Sequence, residues 1–296
     1  MDTEHPSPRF ADIDLWEPAE VLEAMVGGQF AAVAAVRAAM PTIERAALEM
    51  EARLIGTGRL IYVGAGTSGR LAVQDGAELM PTFGWPRDRL LLLIAGGEEA
   101  MTRAVEGAED EAGHAAELIR RHAVNEKDCL VAVAASGTTT FTVACLREAK
   151  RCGALTIGIA NNQATPLVNE ADRSILLETG AEPIAGSTRM NAGTAQRITL
   201  TLLSSLLMIR FGRVYRGVMI DVQATNKKLV KRKKEMLHHL TGKSETQVLE
   251  ALKRADGSVK LAVLLLEGSD LPAAEALLRR TNGRLRAALK LAKARS

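Results

Sequence analysis

Short apolar runs closed by turn residues alternate along this chain with longer segments whose apolar positions recur every three or four residues. Residues 60–63 lie between Gly56 and Gly58 on one side and Gly64 and Gly66 on the other. Residues 90–95 end at Gly96-Gly97, residues 129–135 run into Ser136-Gly137, and residues 154–160 and 174–177 follow. Runs of this length and composition, bounded in this way, predict buried strands. Helical spacing fills the intervals. Residues 18–40 carry Val21, Leu22, Met25, Val26, Phe30, Val33 and Val36, and Pro41 opens a second helix through Ile43, Ala46, Leu48 and Leu54. A helix from Ser68 to Leu79 is expected to break at Pro81, Phe83, Gly84 and Pro86. Residues 98–121 read as helix with interruptions at Gly107 and Gly113, and residues 141–151 and 192–211 as two more helices.

Strands alternating with helices predict an α/β fold: a three-layer domain on a parallel sheet, with ligands at the carboxyl ends of the strands. The pattern changes after Gly217. No strand follows, and residues 259–266, 272–280 and 285–292 form a small helical module separated by Gly- and Asn-containing turns. The predicted organisation is an N-terminal arm and helices over 1–45, the α/β domain over 46–225 and the helical module over 226–296. The basic run Lys227, Lys228, Lys231, Arg232, Lys233 and Lys234 reads as a solvated helix face.

The stretch 60–70 organises the rest. A strand, a Gly-rich turn and a helix start together aim backbone N–H groups and a helix N-terminus at one negative group. Gly66, Thr67, Ser68 and Gly69 form that turn, with two hydroxyls. No Gly-Lys-Ser/Thr follows, and the dinucleotide pattern lacks its acidic residue about 20 positions on, so a phosphorylated small molecule fits better than a nucleotide. Two more hydroxyl-rich turns lie beside strand ends or helix starts: Ser136, Gly137, Thr138, Thr139 and Thr140, then Gly186, Ser187, Thr188 and Arg189. Turns converging from one sheet grip a phosphate and sugar hydroxyls; the plain alternative is helix capping.

Composition narrows the partners. The 296 residues are 47% hydrophobic, 25% charged and only 3% aromatic, with a net charge of +3. That balance is ordinary for a globular protein and leaves little for base stacking, so no nucleic-acid partner is expected. Cys129, Cys145 and Cys152 show no paired spacing and predict thiols in a reducing compartment. No apolar signal core opens the chain and no membrane span is expected. The five histidines show no metal-ligand spacing, so no metal site is expected. Among carboxylates, Glu78 lies in an apolar-leaning run and Glu109 in the cluster 106–111; spacing alone selects neither.

Residues 64–70 through Pro81-Thr82-Phe83-Gly84 resemble the N-acetylmuramic acid 6-phosphate etherase family. So do residues 104–110, 186–190, 192–196 and 222–226. The Gly-Thr-Ser-Gly turn is shared with all sugar isomerase (SIS) domains; Glu106-Gly107-Ala108-Glu109-Asp110 and Gly186-Ser187-Thr188-Arg189-Met190 are more specific. The glucokinase regulatory protein shares the latter without being an enzyme. The resemblance implies a cytoplasmic SIS-fold homodimer that recycles cell-wall amino sugars. It implies a phosphorylated amino-sugar substrate, no cofactor, catalytic glutamates at Glu78 and Glu109, and a C-terminal module similar to ubiquitin-associated (UBA-like) domains. Departures from the family pattern fall at 27–29 (Gly-Gly-Gln for acidic and Asn residues), at 138–140 (Thr-Thr-Thr for Arg-Thr-Pro), at Asn191 and Arg197 (commonly Lys) and at Gly217 (commonly Asn).

The implied chemistry suits two carboxyl groups. After ring opening the C2 proton is α to an aldehyde; one carboxylate removes it while one carboxylic acid protonates the departing lactate, and the roles reverse when water adds at C3. Apolar Leu79 and Met80 point to Glu78 as the acid and acidic neighbours to Glu109 as the base. Glu78 follows Ser68 by ten residues, about 15 Å along a straight helix. Either that helix ends early or Glu78 serves a substrate held by a partner chain. The competing functions are a sugar-phosphate sensor, which retention of both glutamates disfavours, and a DNA-binding regulator, which would need a helix-turn-helix that residues 21–40 do not resemble.

Overall fold

A computed structural model of the chain describes residues 1–222 and 227–294. Its elements run α1 (Pro18–Leu54), β1 (Leu60–Gly64), α2 (Gly66–Phe83), β2 (Leu90–Ile94), α3 (Ala112–Arg121), β3 (Cys129–Val133), α4 (Thr140–Arg151), β4 (Leu155–Ala160), α5 (Pro166–Glu170), β5 (Arg173–Leu176), α6 (Asn191–Arg210), β6 (Val214–Tyr215), β7 (Val218–Met219), α7 (Lys227–Thr241), α8 (Glu245–Arg254), α9 (Val259–Leu266), α10 (Leu271–Arg280) and α11 (Leu285–Lys293). Packing divides the chain into one unit of residues 1–76 and 87–204 and a second of residues 77–86 and 205–296.

The first unit is built on five parallel strands in the order β2-β1-β3-β4-β5, with Gly64 level with Ile94 on one side and Val133 on the other. All five strands read from sequence are present. The pleat divides their side chains. Ile61, Val63, Leu130 and Ala132 pack with Ile119 of α3 and Leu146 of α4. On the opposite face Tyr62 bonds to Asp75 of α2, and Cys129 Sγ approaches Met50 O of α1 at 4.0 Å. Two-sided burial is why the central strands β1 and β3 are apolar throughout, whereas the edge strand β5 carries exposed Arg173. Burial also pushes the Cys129 thiol up, and that of Cys145 up to about 12. At the amino ends of β1 and β3, Asp128, 1% exposed, accepts from Arg59 N at 2.9 Å, Nε at 3.1 Å and Nη2 at 2.6 Å, and from Asn125 N at 3.1 Å.

Three helix boundaries differ from the sequence reading. α1 does not stop at Met40; it continues through Pro41 to Leu54. Its buried positions Ala32, Ala35, Val36, Ala39, Ile43, Ala46, Ala47, Met50 and Leu54 form one unbroken stripe, and burial of that stripe outweighs the hydrogen bond that Pro41 cannot make. α2 likewise runs through Pro81 to Phe83. It ends where left-handed Gly84 (φ 65°) turns the chain, with Gly84 N–H on Met80 O and Trp85 N–H on Leu79 O. The segment 98–121 is helical only from Ala112; left-handed Gly107 and two 3₁₀ turns, Gly97–Met101 and Ala108–Asp110, replace its first half, while Gly113 interrupts nothing.

α1 differs in one more respect. It contains an 18-residue stretch of mean hydropathy 1.4, long and apolar enough by composition to cross a membrane, where the sequence reading counted no such run. The stripe just described packs across β3, β4 and β5, but only 22% of that apolar stretch is buried, and Leu22, Val26, Phe30, Val33 and Met40 are exposed.

In the second unit, Trp85 is buried against Phe211 with ring centroids 5.4 Å apart. The β6–β7 hairpin turns at Arg216 (φ 50°) and Gly217 (φ 79°), both left-handed. Asn and Gly both tolerate that region, so the departure at Gly217 keeps the turn. Helices α7–α11 share one core through Leu237, Val248, Val263, Leu264, Leu277 and Leu285. The module therefore has two helices more than the three expected. Lys231 and Arg232 are exposed on α7, whereas Lys233 turns inward to Gly257 O at 2.8 Å. Residues 223–226 of the family-like segment 222–226 lie outside the described residues.

Replacing Asp128 by Ala removes the counter-ion of Arg59, whose guanidinium keeps His122 O and Ala123 O, and leaves the Arg59 and Asn125 N–H groups without their acceptor at the base of the sheet. We expect a loss of about 3–5 kcal/mol, read as a lower urea midpoint; an unchanged midpoint would show that this network does not hold β1 to β3.

Candidate functional site

The carboxyl ends of β1 and β3 lie side by side, and the turns that leave them meet the segment preceding α6. After β1 the chain enters α2 at once: Gly66, Thr67 and Ser68 form its first turn, two residues earlier than the sequence suggested. The entry needs glycine twice. A Cβ on Gly64 would stand 2.8 Å from Gly69 Cα and N, and one on Gly69 equally close to Gly64 C and O and to Ile94 Cγ1. Gly66 is left-handed (φ 52°), and a Cβ there would stand 2.9 Å from Glu109 Oε1. The structure thus brings Glu109, on the 3₁₀ turn after left-handed Gly107, onto the β1–α2 turn. Arg70 steadies that approach from within α2. Its Nε donates to Ala100 O at 2.7 Å and its Nη2 to Arg103 O at 3.2 Å, so Arg70 is occupied by the loop that leads to Glu109.

The other two hydroxyl turns join the same edge. Left-handed Gly137 (φ 73°) lies against the side chain of Thr165, and Ser136 Oγ accepts the Thr138 N–H at 3.2 Å. Thr139 precedes α4 without a side-chain cap bond; its Oγ1 lies 3.4 Å from Ser136 Oγ, and Thr140 opens the helix itself. Before α6, Gly193 N–H bonds Thr188 O at 2.8 Å, and a Cβ on Gly193 would stand 3.7 Å from Thr67 Cγ2. Thr188 and Thr67 are therefore neighbours, with Ser187 one residue away. Ser68 is 8% exposed, and among the described residues its hydroxyl has no protein partner.

Two buried carboxylates hold these pieces and were not legible in the sequence. Glu182, 1% exposed, accepts the Asn191 and Ala192 N–H groups at 2.8 Å each. It caps α6 from nine residues away, where no local spacing signals it. Its carboxyl lies above the usual range, chiefly through burial. Because it fills that helix end, Ser187 and Thr188 offer side chains there rather than a free helix N-terminus. Asp75 accepts from Tyr62 Oη at 2.9 Å, Ser204 Oγ at 3.3 Å and Thr201 Oγ1 at 3.5 Å, tying α2 to β1 and α6. Burial raises its pKa, against those bonds and the Arg197 charge. Tyr62, raised first by burial and then by Asp75, stays the donor.

The departures from the family pattern are partly explained. A Cβ on Gly28 would fall on the Asn191 amide, Gln29 Nε2 donates to Asn191 Oδ1 at 3.5 Å, and Thr194 bonds Gln29. The changes at 28–29 and 191 thus meet in one contact between α1 and α6, and both are changes to neutral groups. Arg197 bonds Gln74 of α2.

Glu78 is exposed, while its neighbour Leu79 is 1% exposed and turned inward. The apolar wrapping expected for the Glu78 carboxyl is not supplied by Leu79.

Comparisons with known proteins identify the domain and the family. The sequence profile of the glucokinase regulatory protein N-terminal SIS domain matches residues 42–150, and the SIS domain profile matches residues 110–208. An N-acetylmuramic acid 6-phosphate etherase of Deinococcus radiodurans is 46% identical over 265 residues, 90% of this chain and 87% of that protein. One of Streptomyces avermitilis is 40% identical over 293 residues, 99% of this chain and 94% of the relative. Among solved structures, a phosphoheptose isomerase from Francisella tularensis superposes with a TM-score of 0.50 at 18% identity, over 66% of this chain and 100% of that one, a likeness of fold.

The Asp75 site makes a pH prediction. With its pKa raised in the folded chain, the folded state holds this proton where the unfolded chain has lost it. The stability it contributes is full below the ordinary carboxylate range and is lost as pH rises through the folded value. Urea midpoints measured between about pH 4 and 8 should fall more in the wild type than in Asp75→Asn; parallel profiles would show that Asp75 does not titrate against folding.

Proposed function

The chain belongs to the N-acetylmuramic acid 6-phosphate etherase family, and on that premise we propose that Glu78 and Glu109 carry its reaction at the edge formed by the three hydroxyl turns. The protein is a carbon–oxygen lyase of amino-sugar metabolism. It converts N-acetylmuramic acid 6-phosphate and water into N-acetylglucosamine 6-phosphate and D-lactate. Nothing favours the sensor reading over this one.

The single structural observation that carries the site is Glu109 Oε1 standing against Gly66, which turns one carboxylate of the acidic cluster onto the turn best built for an anion. In our reading the N–H groups of Gly66, Thr67, Ser68 and Gly69 and the hydroxyls of Thr67 and Ser68 hold the 6-phosphate. Ser136, Gly137, Thr138, Thr140, Ser187 and Thr188 contact the rest of the sugar. Glu109 takes the C2 proton of the open-chain aldehyde, electrons shift toward C3, and the C3–O bond breaks as Glu78 delivers a proton to the lactate oxygen. Water then adds at C3 of the unsaturated aldehyde, with Glu78 as base and Glu109 returning the proton to C2.

We further propose that the site is shared between two copies. α2 is one helix from Gly66 to Phe83, so the alternative of an early helix end is gone. The exposed Glu78 needs shielding if it is to act as the acid, and a second copy can supply it. α1 offers the surface. Leu22, Val26, Phe30, Val33 and Met40 are exposed along one side of it, Phe30 to 71% and Leu22 to 63%. An apolar stripe of that length, about 27 Å from its first to its last residue, suits a partner helix. The same reading takes residues 46–225 as the sugar-phosphate-binding part, residues 226–296 as accessory, and the cytoplasm as the place where cell-wall amino sugars are recycled.

D-Lactate release from N-acetylmuramic acid 6-phosphate tests the reading. Glu78→Gln and Glu109→Gln should each lower kcat by about 10²–10⁴ with little change in KM. Solvent deuterium exchange at C2 should be abolished in Glu109→Gln and should survive, if in either variant, in Glu78→Gln; the opposite pattern reverses the roles. Full activity in both variants would sink the mechanism. A Glu78→Gln chain mixed with a Glu109→Gln chain should regain one working site per heterodimer. No recovery in verified heterodimers would place each site within one chain.

A further inference from the structure

The residues ahead of α1 are not a free arm. Thr3 has no exposed surface. Its hydroxyl accepts from Asn162 Nδ2 at 2.8 Å, its N–H donates to Asn162 Oδ1 at 3.5 Å, and its carbonyl accepts the Gly186 N–H at 3.0 Å. The second proton of Asn162 Nδ2 goes to Ala135 O at 2.9 Å, next to Ser136. Residues 1–4 are therefore stitched to the carboxyl ends of β3 and β4 and to the Gly186-Ser187-Thr188 turn at once. That is the edge where the hydroxyl turns meet.

Glu4 is what this anchoring delivers to the rim. It is exposed, and its Oε2 stands 3.5 Å from where a Cβ on Gly186 would be. Thr3 Oγ1 donates to its Oε1 at 3.3 Å. Among the described residues no cation is paired with it. Its charge instead acts on Glu182, where, after burial, it adds to the rise in that carboxyl's pKa. An unpaired carboxylate set toward another carboxylate gains nothing for stability, and local violations of this kind concentrate at functional positions. An ionised carboxylate only accepts hydrogen bonds and repels a phosphate, so its natural ligand is a neutral donor.

We propose that Glu4 is a substrate-recognition residue, accepting hydrogen bonds from sugar hydroxyls or the acetamido N–H, and that Thr3 is the positioning residue that holds it at the rim. This rests on the etherase reading above, and the experiment separates the two. Binding of N-acetylglucosamine 6-phosphate and of inorganic phosphate is measured by calorimetry for the wild type and Glu4→Gln, beside lactate-release kinetics. Glu4→Gln should weaken the sugar phosphate about ten- to hundredfold and raise KM with a smaller change in kcat, while inorganic phosphate binds as before or tighter. Thr3→Val should weaken the sugar phosphate as well, and Thr3→Ser, which keeps the hydroxyl, should restore it. Unchanged sugar-phosphate affinity in Glu4→Gln would overturn the proposal, and so would equal tightening of both ligands, which would make Glu4 a bystander charge. A wild type that releases no lactate fails the etherase reading; an active wild type matched by Glu4→Gln fails this proposal alone.

Discussion

Backbone lies on backbone where β1 passes into α2. Gly64 and Gly69 stand so close that a Cβ on either would come within 2.8 Å of the other's main chain. That contact lets the helix start directly at the end of a central strand, with its first N–H groups facing out of the sheet's carboxyl edge. Everything at this edge takes its position from it. Glu109 comes to rest against Gly66, Thr67 touches the start of α6, and Arg70, one turn along, fastens the loop on which Glu109 travels. A side chain at Gly64 or Gly69 would push α2 off the sheet and move all of these together.

The acidic residues around the edge fall into two physical kinds. Asp75 and Glu182 are buried, each accepting two or more hydrogen bonds, and they fasten helices to the sheet and to each other. Their raised pKa values reflect desolvation that those bonds offset only in part. Glu4, Glu78 and Glu109 are exposed instead, open to solvent and to a bound molecule. A site that moves protons needs this separation: the carboxylates that hold its shape must not be the ones that react.

The resemblance to both an enzyme family and a regulatory protein follows from the same edge. The hydroxyl turns are common property of a sugar-phosphate fold and do not decide between chemistry and sensing. On the mechanism proposed above, what separates them is a pair of carboxyl groups acting at C2 and C3; this chain has glutamate at 78 and 109, and Glu109 Oε1 stands against Gly66.

Sequence alone determined the five strands of the parallel sheet and the Gly-rich turn after β1, because these depend on local composition: apolar runs closed by glycine, and glycine where the backbone must come close; it missed the two-residue strands of the β6–β7 hairpin, one of them after Gly217, where no strand was expected. It also carried the family, because residues 104–110 and 186–190 are specific in themselves. Tertiary structure decided the rest. α1 crosses Pro41 and α2 crosses Pro81 because buried stripes longer than one local break outweigh a missing hydrogen bond. The cap that Glu182 puts on α6, the tie from Tyr62 to Asp75, the meeting of Gly28 with Asn191 and the anchoring of Thr3 on Asn162 join residues separated by 9 to 163 positions. No periodicity or local propensity records such pairs. They exist only once the sheet has brought its carboxyl ends together and left each buried polar group to find its partner across that edge.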